Sequence, residues 1–350
     1  MQKTYIGVHP SIFMNVVTLL QDLIKIESHT DGRSIITHVT ELLKDLGAEI
    51  SVYGLKKKPA ILAEFGNGGI IFSGHLDTVV MGEWDFEQGE IHNGRLYGRG
   101  SADMKSGCAA MIAAAEELKD DIPVTLALTT DEEITMHGAE EIAKAAPFET
   151  APVVLVGEPT GLKAGIGEKG ILWLRADVKG KSSHGSMPWI GENAIWKMVQ
   201  HLKSVTPYTD KEGLTANIGM INGGTQINVT PDRCTAELDV RYPPVMRKED
   251  VISKMEDITG LSLEVEYDLP PVTIDDSRVE VQNLINLALG TCTCYYATEA
   301  VRFFHKTPTV ILGPGEQEMA HQKNEYVEIW QVEKAVEIYT DYARDMTDLR

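Results

Sequence analysis

Gly98-Arg99-Gly100-Ser101-Ala102-Asp103-Met104-Lys105-Ser106-Gly107 decides how the rest of the chain is read, together with His75-Leu76-Asp77 upstream. Asp103 is a lone carboxylate between a glycine-rich turn and an alanine-rich stretch, residues 108–119, that predicts a helix. Such a turn can bring backbone close to an ion, and a helix start favours negative charge. His75 ends the apolar run Ile70-Ile71-Phe72-Ser73-Gly74, which reads as a buried strand. A strand end is a rigid place to hold an imidazole, and Asp77 can orient the ring from behind. On its own a His-x-Asp is an ordinary surface pattern. Its meaning comes from what surrounds it.

Upstream, apolar spacing predicts helices over residues 11–26 and 34–46, followed by short strands at 49–53 and 60–65. Downstream, a strand at 124–128 runs into Thr129-Thr130-Asp131-Glu132-Glu133, and a helix is expected over 137–145. The next buried strand, 152–156, stops at Gly157-Glu158-Pro159-Thr160. Strands alternating with helices argue an α/β domain, a helix-flanked mixed sheet whose strands are largely parallel. His75, Asp103, Glu132, Glu133 and Glu158 then sit at strand carboxyl ends or in the loops beyond them. Ligand sites in open α/β sheets form at that edge, where the loops converge.

The texture changes near Gly165. Strand, helix, strand, strand, helix and strand follow at 171–178, 193–203, 217–221, 234–242, after Pro244, and at 261–267. That order suggests a smaller α+β domain of the split βαβ, ferredoxin-like type. Pro270-Pro271 marks its exit, and the elements expected at 279–289, 308–312 and 332–342 resume the first domain. The expected organisation is a metal-binding catalytic domain, 1–167 and 277–350, interrupted by an inserted domain, 168–276.

The 350 residues are 43% hydrophobic and 24% charged, the profile of a globular protein with a full core. A net charge of −20 repels phosphate backbones, which argues against nucleic acid and anionic membrane surfaces as partners. Four cysteines are too few for a disulfide framework, and Cys292-x-Cys294 has no second pair with which to clip a metal. Free thiols are expected. Met1-Gln2-Lys3-Thr4-Tyr5 lacks the apolar core of a signal peptide, and no run reaches membrane-spanning length, so a cytoplasmic location is expected.

His321, after Gly313-Pro314-Gly315, completes a candidate ligand set with His75, Asp103, Glu133 and Glu158. Mixed imidazole and carboxylate donors suit zinc, cobalt or manganese. Five ligands are too many for one tetrahedral catalytic zinc that also holds water. They fit two divalent ions with Asp103 shared. Neighbouring side chains at a strand end diverge, so one of Glu132 and Glu133 can reach a metal while the other faces the bound water. His9, His29, His38, His92, His137, His201 and His305 sit in no comparable setting.

These motifs, with Ser183-His184-Gly185 and Ala320-His321, resemble the M20 metallopeptidase family. The likeness is to its acetylornithine deacetylase and succinyl-diaminopimelate desuccinylase type. It spans about residue 70 to about residue 327 in the family's order. It implies that His75 and Glu158 hold one metal, Glu133 and His321 the other, and that Asp103 bridges while Asp77 braces His75. It makes Glu132 the general base, acting on a water between the metals. It also implies that His184 reaches a partner subunit's active site, and that Asn228 and Arg241 recognise the substrate's carboxylate. The inserted domain would be a lid that carries a homodimer contact, and the Asp103–Met104 bond would be cis. The implied substrate is an N-acyl amino acid; a dipeptidase or carboxypeptidase on the same scaffold, or a non-catalytic metal binder, is the alternative. One departure stands out: where relatives tend to read Thr-Ser-Asp-Ala-Arg-Phe, this chain has Thr298-Glu299-Ala300-Val301-Arg302-Phe303. A second is Val79-Val80-Met81, where a proline is usual.

Overall fold

The computed structural model describes residues 14–205, 208–211 and 213–348. The start of the helix expected from residue 11, the segment Met1 to Tyr5 and His9 lie outside them. The chain divides into two compact units. One comprises Met1–Gly165, Asp275–Cys292 and Arg302–Arg350; the other comprises Ile166–Ile274 and Thr293–Val301.

The first unit is built on a mixed sheet. Its strands lie in the order Glu49–Leu55, Lys58–Phe65, Val124–Thr129, Ile70–His75, Val154–Val156 and Thr309–Ile311. The first three are joined by antiparallel pairings, and parallel pairings begin only between Val124–Thr129 and Ile70–His75. They continue through Val154–Val156 to Thr309–Ile311. The parallel part is thus confined to four central strands, less than the alternation of strands and helices suggested. Residues 49–65 return by a hairpin, which only an antiparallel pair permits. Every residue of Ile70–His75 and Val124–Thr129 is buried, as expected of strands covered on both faces.

The helix Lys105–Leu118 packs on this sheet and against the helices Val16–Lys25 and Ile329–Asp348. All its residues but Glu116 and Glu117 are buried, and its many alanines let three neighbours approach. Gly107 takes this furthest: a Cβ there would lie 2.2 Å from the carbonyl oxygen of Gly157. The absence of a side chain brings the helix start against the end of strand Val154–Val156. Lys105, buried, donates from Nζ to the carbonyls of Leu23 and Ile26 at 3.0 and 2.9 Å, closing the end of helix Val16–Lys25. A small antiparallel sheet of Glu90–His92, Arg95–Tyr97 and Tyr326–Glu328, not foreseen from the sequence, flanks the Asp103 turn.

In the second unit the strands Thr215–Gly223, Arg233–Tyr242, Gly170–Lys179 and Leu263–Leu269 form an antiparallel sheet in that spatial order. Counted along the chain, the order is second, third, first, fourth, the split βαβ arrangement. Leu172, Leu174, Leu238 and Val240 alternate inward onto Met198 and Leu202 of helix Ala194–Leu202 and onto Val251 and Met255 of helix Lys248–Thr259. Thr293–Val301 also belongs to this unit, outside the expected 168–276 block. Thr298 ties it there, donating its N–H and hydroxyl to Glu168 Oε2 at 3.0 and 2.6 Å. Among the described residues the four cysteines form no disulfide. Among the described residues no helix is long and apolar enough to cross a membrane.

Candidate active site

The four parallel strands end at one edge of the first unit's sheet. His75 is the last residue of its strand, Glu132 and Glu133 follow Val124–Thr129, and Glu158 follows Val154–Val156. The loop after Thr309–Ile311 carries His321, and the turn before helix Lys105–Leu118 carries Asp103. The six side chains meet there.

Asp103 lies between two imidazoles. Its Oδ1 is 3.1 Å from His75 Nε2, and its Oδ2 is 3.4 Å from His321 Nε2. Around His75 Nε2 stand also Glu158 Oε1 at 3.7 Å and Glu132 Oε2 at 3.9 Å. Around His321 Nε2 stand both carboxylate oxygens of Glu133, each at 3.1 Å. Donor atoms of His75, Asp103 and Glu133 all lie within 4.8 Å of one another. The Asp103–Met104 bond is cis, as the resemblance implied.

The protonation chemistry follows from crowding. His75 Nδ1 lies 3.1 Å from the carbonyl oxygen of Asp77, which can only accept. In the neutral ring the hydrogen therefore sits on Nδ1, and the Nε2 lone pair faces Asp103. Burial works against the imidazolium, but Asp103 and Asp77, then Glu132 and Glu158, outweigh it and raise His75 well above its ordinary pKa. Burial also pushes Glu132 well up; His75 opposes this, and Glu158, Glu133 and Asp103 push it further. At His321 the Glu133 carboxylate does the raising, against partial burial. Four carboxylates thus crowd two imidazoles that hold protons more tightly than usual. The donor set suits divalent cations, which would offset the same negative charge.

Asp77 does more than face His75. Its carboxylate is 3.5 Å from Nδ1, farther than its own carbonyl oxygen, and accepts the backbone N–H of Glu132 and Glu133 at 3.3 and 3.4 Å. It therefore braces the Glu132–Glu133 turn as well. Lys58, nearly buried, stands 3.9 Å from Asp77 Oδ2 and donates to the carbonyls of Ser28 and His29. Sequence reasoning missed Lys58, Arg99 and Glu325. Glu325 is buried and accepts the N–H of Ala102 and Asp103. Arg99 stood in the quoted Gly98 to Gly107 stretch without a signal of its role, and nothing marked Glu325, because the two partners are more than two hundred positions apart.

His184, Asn228 and Arg241 belong to the second unit. The first two are neighbours there: His184 bridges to Val229, and the N–H of Gly185 donates to the Asn228 carbonyl at 2.7 Å. The ring of His184 contacts Ser186 Oγ at 2.8 Å through Nδ1. Arg241 lies on the sheet and donates from Nε to Asp239 at 2.8 Å. Ala300, the site of the departure from the family pattern, is fully buried beside Glu299, in the segment tied to Glu168.

Residues 71–345 match the peptidase family M20/M25/M40. A probable succinyl-diaminopimelate desuccinylase of Staphylococcus epidermidis is 28% identical over 93% of this chain and 96% of its own. An acetylornithine deacetylase of Vibrio atlanticus is 29% identical, covering 89% of this chain and 91% of its own. Among solved structures, a tripeptidase from Staphylococcus aureus superposes with a TM-score of 0.78 at 21% identity, covering 94% of this chain and 98% of that one. With the match running from the strand that ends at His75 to the last helix, the chain belongs to peptidase family M20/M25/M40 and is a metal-dependent hydrolase.

Proposed function

We propose that the protein is a two-metal amidohydrolase that cleaves the amide bond of an N-acyl amino acid, of the deacetylase or desuccinylase type. The observation that carries this reading is the division of Asp103, with one carboxylate oxygen toward His75 and the other toward His321. His75 and Glu158 would hold one ion and Glu133 and His321 the other, with Asp103 shared. Zinc fits this donor set, and cobalt or manganese would serve as well. When bound, such ions polarise a carbonyl and lower the pKa of water.

The remaining chemistry falls to the chain. Glu132 stands 3.9 Å from His75 Nε2 and is left outside the ligand set, free to take a proton from the attacking water. It then returns that proton to the departing amine. Asn228 and Arg241 would recognise the substrate's carboxylate, for which a guanidinium fork is well shaped. His184 would reach the partner's active site in a homodimer and hydrogen-bond the oxygen where negative charge develops. Trp189, Trp196 and Val199 of the second unit are exposed apolar groups, which supports such an assembly. The net charge of −20 supports an enzyme that binds neither nucleic acid nor anionic membrane.

A dipeptidase or carboxypeptidase would present the same amide beside a carboxylate, and the tripeptidase fold supports keeping that reading. Hydrolysis assayed across N-acetyl and N-succinyl amino acids and dipeptides, each with zinc, cobalt or manganese, tests the proposal. Turnover confined to dipeptides would refute the deacylase reading, and no metal-dependent turnover of any amide would refute the mechanism.

A further inference from the structure

We infer that Glu325 is a positioning residue for the metal site, one that holds the Asp103 turn and the His321 loop in register through a buried carboxylate. The inference rests on the two-ion reading above. Glu325 is fully buried, and each of its acceptors is committed. Oε1 takes the N–H of Ala102 and of Asp103 at 2.8 and 3.0 Å, and Oε2 takes Arg99 Nη1 at 2.7 Å. Its main-chain carbonyl accepts the N–H of Gly98 at 3.0 Å. One residue thereby fastens both ends of the turn that presents Asp103.

The same residue is close to His321 along the chain. It immediately precedes strand Tyr326–Glu328, which pairs with Arg95–Tyr97, so the far side of the loop is anchored beside the near side of the turn. Between them the backbone bends at His321 and Asn324, with φ of 62° and 58°. Arg99 Nη2 lies 3.5 Å from the His321 carbonyl oxygen, and Asn324 Nδ2 donates to Asp85 at 2.7 Å. This matters because the His321 side chain is half exposed, whereas that of His75 is buried in its strand. Packing holds His75. His321 depends more on its loop, which Glu325, Arg99 and Asn324 hold.

Ligands need to be held within about half an ångström of a productive geometry, and Asp103 must satisfy two partners at once. A small rotation of the 98–103 turn would spoil both contacts together. Arg99 offsets the charge of Glu325, which would otherwise add another negative group beside Asp103. Orienting groups of this kind typically change metal affinity by about 10–100-fold when removed.

The test uses the full chain, stripped of metal and titrated with cobalt(II), reading both affinity and the visible absorption of the bound ion. The double variant Glu325→Gln/Arg99→Met removes both charges, so no lone buried ion remains, and the amide oxygen still accepts from the turn. The expected result is an apoprotein melting close to wild type, cobalt affinity reduced at least about tenfold, and an altered absorption spectrum. A merely structural role would lower the melting temperature and leave affinity and spectrum unchanged, which overturns the inference. Arg99→Lys, which keeps the charge but not the fork, should fall between the two and provides the same readouts if the double variant does not fold. Wild-type protein that takes up fewer than two ions would overturn the site reading itself, and this inference with it. Wild type with two ions and a variant that holds them equally well would overturn the inference alone.

Discussion

Replacing Glu168 by glutamine should change how the stability of the protein depends on pH. Glu168 is fully buried; Oε2 accepts the N–H and hydroxyl of Thr298, and Oε1 has no hydrogen-bond partner among the described residues. Burial pushes its pKa from 4.5 up to about 8, against the two hydrogen bonds from Thr298, which favour the charged form. The folded protein therefore keeps a proton that the unfolded chain releases. Stability from this group is complete below the unfolded pKa of about 4.5, is lost as pH rises toward about 8, and changes no further above that. At about 1.4 kcal/mol for each pH step, the full loss amounts to at most about 5 kcal/mol. Glutamine cannot ionise and its oxygen can still accept from Thr298, but its NH2 is left unpaired, which costs about 1–3 kcal/mol at every pH. Wild type should therefore be the more stable at about pH 5 and the Glu168→Gln variant at about pH 8.5. Urea denaturation across that range, followed by fluorescence, measures the difference, with Trp173, Trp189 and Trp196 reporting from the same unit. Parallel pH profiles for the two proteins would refute the reasoning.

Further outcomes are expected from the site. Glu132→Ala and His184→Ala should each retain metal and lose at least about two orders of magnitude in turnover. In the proposed homodimer, subunit exchange between the two inactive proteins should restore activity to about a quarter of wild type under random pairing, since half the dimers would carry one intact site. No recovery despite demonstrated exchange would exclude a role for His184 across a dimer. Lys58→Met should destabilise the apoprotein by roughly 1–3 kcal/mol in urea unfolding, because a buried and a part-buried carbonyl and Asp77 lose their cation. Unchanged stability would show that Lys58 contributes nothing there. Gly107→Ala should weaken metal binding as well as lower the melting temperature, because its Cβ would force the helix away from Gly157 and so move Asp103 relative to Glu158. A variant that melts lower but binds metal normally would disprove that link.

Much of this was legible in the sequence because the signals are local. Ile70 to His75 is a continuous apolar run ending in a histidine, and an apolar run in an α/β chain is a buried strand with its polar residue at the end. Val124 to Glu133 and Val154 to Glu158 repeat the pattern, so the carboxyl edge of the sheet could be recognised before any contact was known. The alternation in 171–178 likewise reports a sheet with one covered face, and the structure keeps Leu172 and Leu174 on it. What the sequence could not disclose was pairing across long separations. That Lys58 and Pro59 begin an antiparallel strand beside 124–129, limiting the parallel sheet to four strands, depends on which edges meet. That Asp77 accepts from the Glu132–Glu133 backbone, that Thr298 joins Glu168, and that Glu325 holds the Asp103 turn are matters of three-dimensional proximity. Backbone donors look alike in every sequence, and a carboxylate finds them only once the chain has closed upon itself. Local chemistry brought the candidate ligands into view, whereas tertiary structure decided what surrounds and braces them.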